Sequence, residues 1–160
     1  MRKLESALLI VGLAIVAAAT SVQAMDVGER LAPIQLTDQH DQTRAIDSDT
    51  RLILLASSHG AAKLVDQALK NVPPDFLAQR EAVYVADISK VPGLVAKMVL
   101  VPSMRSASYG VLLDRKSALA PERVGAEPVL WITLEDSLVT STKEFTDAKA
   151  LRAALEQISP

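Results

Sequence analysis

Five consecutive apolar residues, Leu52-Ile53-Leu54-Leu55-Ala56, are bounded by Arg51 on one side and by Ser57-Ser58 on the other. A run this short and this solid has no polar face. It fits a strand covered on both sides rather than a surface element. The next segment keeps a different period. Leu64, Val65, Ala68, Leu69 and Val72 fall on one helical face, while Lys63, Asp66, Gln67 and Lys70 point away. The spacing predicts a helix over 61–72, ended by Pro73-Pro74. A doubly covered strand feeding an amphipathic helix is the opening of an α/β unit.

The rest of the chain extends that pattern. Leu31, Ile34 and Leu36 suggest a short first strand, and 38–42 reads as a turn. Ala82 to Ile88 is another apolar strand. Pro92-Gly93 opens a helical stretch through Leu94, Val95, Met98, Val99 and Val101, which Pro102 should break or kink. Met98, Val99 and Met104 are expected in the core. Tyr109 to Leu113 and Val129 to Leu134 read as strands, and Leu138 to Thr142 as a hairpin partner of the latter. Thr146 is the expected N-cap of a final helix that buries Leu151, Ala154, Leu155 and Ile158. Trp131 is expected in the core. Arg115-Lys116 and Glu122-Arg123 are expected in a solvated loop. The order β-β-α-β-α-β-β-β-α predicts a mixed sheet with helices on both faces.

At 160 residues, 49% hydrophobic and 22% charged, the chain suits one ordered domain. The N-terminus predicts export. Met1-Arg2-Lys3 is basic, 7–19 is a charge-free apolar run, and Val22-Gln23-Ala24 offers small residues for cleavage after Ala24. Residues 1–24 are thus expected to be a signal peptide, and 25–160 the mature domain. Removing Arg2, Lys3 and Glu5 moves the net charge from −2 to −3. An uncleaved leader would instead serve as a membrane tether. A net charge of −2 excludes nucleic-acid binding through bulk positive charge. The chain has no cysteine, which excludes disulfides, thiol catalysis and iron–sulfur clusters. His40 and His59 are its two histidines, and they lack metal-ligand spacing.

The strand-to-helix junction Ser58-His59-Gly60-Ala61-Ala62-Lys63 resembles the Trp-Cys-Gly-Pro-Cys-Lys motif of thioredoxins, with the glycine and lysine matching. His59 stands at the nucleophilic cysteine and Ala62 at the resolving one. Glu127-Pro128-Val129 resembles the segment in which a cis-proline faces that motif, and Tyr109-Gly110-Val111-Leu112-Leu113 resembles a peroxiredoxin segment. The peroxiredoxin cysteine loop is missing, and so is the arginine expected just before Val129. Asp87, Pro92-Gly93 and Leu112-Leu113-Asp114 look closest to the exported, cysteine-free YtfJ-type proteins of Gram-negative bacteria, a family with no assigned activity. The resemblance implies an α/β thioredoxin-like fold over most of 27–158. It also implies a degenerate active site at Ser57, Ser58, His59, Gly60, Ala62, Lys63 and Pro128. The Glu127–Pro128 bond is expected cis, forming a groove with His59 for an extended peptide.

The expected function is a periplasmic binding or scaffold module with no catalytic residue, cofactor or metal and an unknown protein or peptide partner. Membrane contact is expected only through a retained leader. The alternative is a hydrolytic or metal-assisted enzyme centred on His59 with Ser58 and Asp87. Serine there needs a base and an oxyanion hole, and the Gly-x-Ser-x-Gly elbow is absent.

Overall fold

A computed structural model describes residues 25–160; the expected signal peptide, 1–24, lies outside the described residues. Seven strands form one mixed sheet: β1 (Ile34–Asp38), β2 (Thr43–Ile46), β3 (Leu52–Ala56), β4 (Ala82–Asp87), β5 (Leu112–Asp114), β6 (Val129–Glu135) and β7 (Leu138–Phe145). Their spatial order is β2-β1-β5-β4-β3-β6-β7. β3 lies near the middle, parallel to β4 and antiparallel to β6. Every residue of β3 is at most 2% exposed, as its unbroken apolar run requires.

The pleat of β3 divides the interior. Leu52, Leu54 and Ala56 enter one layer, and Ile53 and Leu55 enter the other. The first layer receives α1 (His59–Ala68) through Ala61, Val65 and Ala68, and α4 (Ala148–Glu156) through Leu151 and Leu155. It also receives Ala96 and Val101 from the segment between β4 and β5. The crossovers β3–β4 and β4–β5 step across the sheet in the same direction, so right-handed connections put their helices on the same face. The chain then returns from β5 to β6 across the second face. That face is covered by Leu119 and Ala120, which lead into a 3-10 turn (Pro121–Arg123), and by Met25, Leu31, Ile34 and Leu36. Helical turns therefore lie on both faces, and those on the second are short.

β2 has no counterpart in the sequence reading, because only Ile46 of its four residues is buried and no apolar period marks it. α1 begins two residues earlier than its apolar period and ends at Ala68. Asn71, with φ of 61°, turns the chain before the prolines are reached. The last helix is capped by Asp147, not Thr146: Ala150 N–H donates to Asp147 Oδ1 (2.8 Å).

The strand expected from Tyr109 starts only at Leu112. Over 109–111 the side chain of Gln39 replaces a neighbouring strand. Its Nε2 donates to the Tyr109 carbonyl (2.8 Å), and Val111 N–H donates to its Oε1 (2.8 Å). Glu122 and Arg123 are not a solvated pair. Both Glu122 carboxylate oxygens are buried without a partner among the described residues. Arg123 bridges to Glu144 (2.5 Å) and reaches the Pro128 carbonyl (3.4 Å).

Pro102 does not break its helix. Between α2 (Gly93–Val95) and α3 (Val101–Met104) lies a π turn, Ala96–Leu100, in which Val101 N–H bonds to the Ala96 carbonyl. The wider turn makes room for a proline ring that would clash with the carbonyl four residues back. It also changes which residues face inward. Ala96 and Val101, five positions apart, are buried, whereas Met98 and Val99 are 67% and 64% exposed. Met98 and Val99 are therefore not core residues, and Met104 is half-buried.

Candidate functional site

α1 starts where the central strand ends. Ser58 is its N-cap, in extended backbone, and its Oγ accepts the Ala61 N–H at 3.0 Å. Ser57 is buried. Its carbonyl accepts from Gly125 N–H (2.7 Å), and its Oγ has no partner among the described residues. His59 and Lys63 are exposed, and Ala62 is half-buried. A β-carbon at position 60 would run into the Glu127 carboxylate, so Gly60 permits that carboxylate to lie against the first turn of α1. The Glu127–Pro128 bond is not cis, contrary to expectation. Glu127 instead fills the space over Gly60, and the Pro128 carbonyl is turned toward Arg123. The expected groove, which required a cis bond, is therefore absent at Pro128.

The open space lies on the other flank of α1. A cleft of about 380 Å³ runs between α1 and the 100–111 segment. His59, Lys63 and Asp66 line one wall, in the i, i+4, i+7 spacing that aligns side chains along one helical stripe. Leu100, Met104 and Val111 supply apolar surface, and Tyr84 and Tyr109 are also part of the lining. Tyr109 OH donates to Asp66 Oδ1 at 2.6 Å, tying the two walls together. The sequence pointed to Lys63 at this site, but not to Asp66, Tyr84 or Tyr109. The stripe was visible in the spacing, but its opposite wall was not, because it is built by a turn rather than a regular element. A larger concavity, of about 790 Å³, lies at the other end of β3 beside Arg51 and Ile158–Pro160, away from the expected site residues.

Ser58 and Asp87, two members of the alternative enzyme constellation, each hold local structural bonds. Ser58 Oγ is committed to α1. Asp87 accepts from Ser89 N–H (2.9 Å) and Ser117 OH (2.6 Å). His40 sits in the β1–β2 turn. Among the described residues no group of three His, Asp or Glu side chains lies close enough together to hold a metal ion.

Tyr84 and Tyr109 are the chain's two tyrosines. Burial pushes the Tyr84 phenol well above its ordinary range, helped by the charge of Asp66. Burial also raises Tyr109, and its hydrogen bond to Asp66 adds to the effect. An unfolded tyrosine ionises near pH 10. Above that pH the unfolded chain loses phenolic protons that the folded chain keeps, so stability falls as pH rises. Below it this linkage costs nothing. Phenolate absorbance should therefore appear above the usual range and together with loss of the circular dichroism signal. A tyrosine titrating near its ordinary value in the folded protein would contradict the cleft geometry.

No known protein-family profile and no curated protein matches the chain by sequence. Solved structures do match its fold. Peroxidoxin BcpB from Mycobacterium tuberculosis superposes with a TM-score of 0.54 at 21% identity, over 85% of this chain and 99% of that one. The thioredoxin domain of a thiol-disulfide oxidoreductase from Bacteroides vulgatus gives 0.55 at 11%, over 86% and 100%. A peroxiredoxin-like protein from Aquifex aeolicus gives 0.51 at 9%, over 85% and 89%. The chain has the thioredoxin-like fold. It carries no cysteine with which to perform that fold's thiol chemistry.

Proposed function

We propose that the protein is an exported, cysteine-free thioredoxin-fold binding module of the YtfJ-type group. Its α1 corner holds a periplasmic protein or peptide instead of exchanging disulfides. One observation carries the reading: His59 and Ala62, which stand where the resemblance puts the two cysteines, lie on a helix whose start borders an open cleft. Without a cis-proline groove, the cleft suits a side chain of the partner better than an extended backbone. Its apolar wall would cover the body of that side chain, and His59, Lys63 and Asp66 would meet a polar end.

Two measurements test this. In an insulin-reduction assay with dithiothreitol the protein should add nothing to the buffer rate; catalysis would sink the proposal. Capture of periplasmic proteins on immobilised protein should give a defined partner whose affinity falls about tenfold on His59→Ala, the effect of losing one strong interface contact. Equal capture by both forms would remove His59 from the binding surface.

A further inference from the structure

The π turn leaves four large apolar side chains facing solvent in one short segment: Leu94 (71% exposed), Val95 (46%), Met98 (67%) and Val99 (64%). Leu94 and Met98, and Val95 and Val99, are each one turn apart, so they form a ridge that the exposed Pro102 extends. The charge along this stretch of the chain is one-sided. From Ile88 to Leu113 the sequence contains Lys90, Lys97 and Arg105 and no acidic residue, and Arg115 and Lys116 follow. Lys97, Arg105 and Arg115 line a common hollow beside the ridge. Asp41 also lines it and is paired with Arg105 (3.0 Å). Asp114, the one acid between Ile88 and Lys116, is buried and bonded to backbone N–H groups. The basic surplus is local, since the whole chain is at −2.

We infer that the α2–α3 ridge docks on an anionic lipid surface, with Leu94, Val95, Met98 and Val99 entering the headgroup–acyl boundary and Lys97 and Arg115 meeting the lipid phosphates. An apolar ridge with flanking cations is the arrangement by which a surface helix lies in a membrane interface. No described helix is long and apolar enough to cross a membrane, so the contact is peripheral. A second copy fits the ridge poorly. A two-fold interface would set the basic surround of one copy against the same cations of the other. The inference concerns the folded domain, and so goes beyond the expectation that only a retained leader touches a membrane.

The lack of native cysteine makes a local probe unambiguous. In the full chain, Met98→Cys carries a single environment-sensitive fluorophore, and Gln157→Cys, exposed beyond the end of α4, carries the control. Vesicles of mixed phosphatidylglycerol and phosphatidylcholine should shift the position-98 emission to the blue, while pure phosphatidylcholine vesicles should not. The control should stay unchanged. A tether through residues 1–24 would bring both labels to the surface without burying either. Adding Lys97→Glu and Arg115→Glu should weaken vesicle binding about thirtyfold or more, as expected for removing two phosphate-facing cations and reversing their charge. The proposal is overturned if position 98 does not respond to the anionic vesicles, or responds equally to both lipids. A response that follows protein concentration without vesicles would also overturn it, by identifying a second copy as the occupant.

Discussion

Asp114→Ala is expected to destabilise the domain by about 3 kcal/mol, because it strips three backbone N–H groups of their acceptor at once. Asp114 ends β5 and is 1% exposed. Its Oδ1 accepts from Lys116 N–H (3.1 Å) and Ala118 N–H (3.0 Å), and its Oδ2 accepts from Leu119 N–H (2.9 Å). The carboxylate thereby folds the chain back so that Leu119 and Ala120 cover the second face of the sheet. Asp114→Asn keeps an oxygen for two of the donors and turns an NH₂ toward the third, so it should lose less. Urea unfolding followed by Trp131 fluorescence measures both variants. A loss below about 1 kcal/mol for the alanine variant would mean that the loop holds without its carboxylate.

Leu54→Ala should cost about as much, by a different mechanism. Leu54 is 0% exposed at the centre of β3, paired with Tyr84 on one side and Trp131 on the other. Truncation forfeits the burial of the side chain and leaves a cavity between strands that cannot close together, a loss of roughly 2–5 kcal/mol. The cavity borders Trp131, so the native fluorescence should change before unfolding begins. Leu54→Met, which nearly conserves volume, should cost less than about 1.5 kcal/mol. Equal losses for the two variants would show that volume is not what this position contributes.

Residues whose burial follows from a regular period were legible in the sequence. β3 announced itself by five apolar residues in a row, and α1 and α4 by one apolar face each. What escaped was set by single side chains acting across the chain. Gln39 substitutes for a strand beside Tyr109, and no local pattern marks a glutamine as a ladder partner. Pro102 suggested a break, but a π turn accommodates it and turns Met98 and Val99 outward. Of the site, the strand–helix junction carrying Ser58, His59 and Lys63 was readable from residue types. The cleft was not, because Asp66 and Tyr109 are 43 positions apart and meet only through the fold. Glu127 over Gly60 escaped for the same reason.

The central claim is that the α1 corner binds a partner without thiol chemistry. A photo-crosslinking residue placed at Lys63, beside the cleft, tests it most directly in exporting cells, with Lys149 on the outer face of α4 as the comparison site. The account predicts a discrete adduct of defined mass from position 63, weakened by His59→Ala and absent from position 149. Adducts no stronger at 63 than at 149 would contradict it.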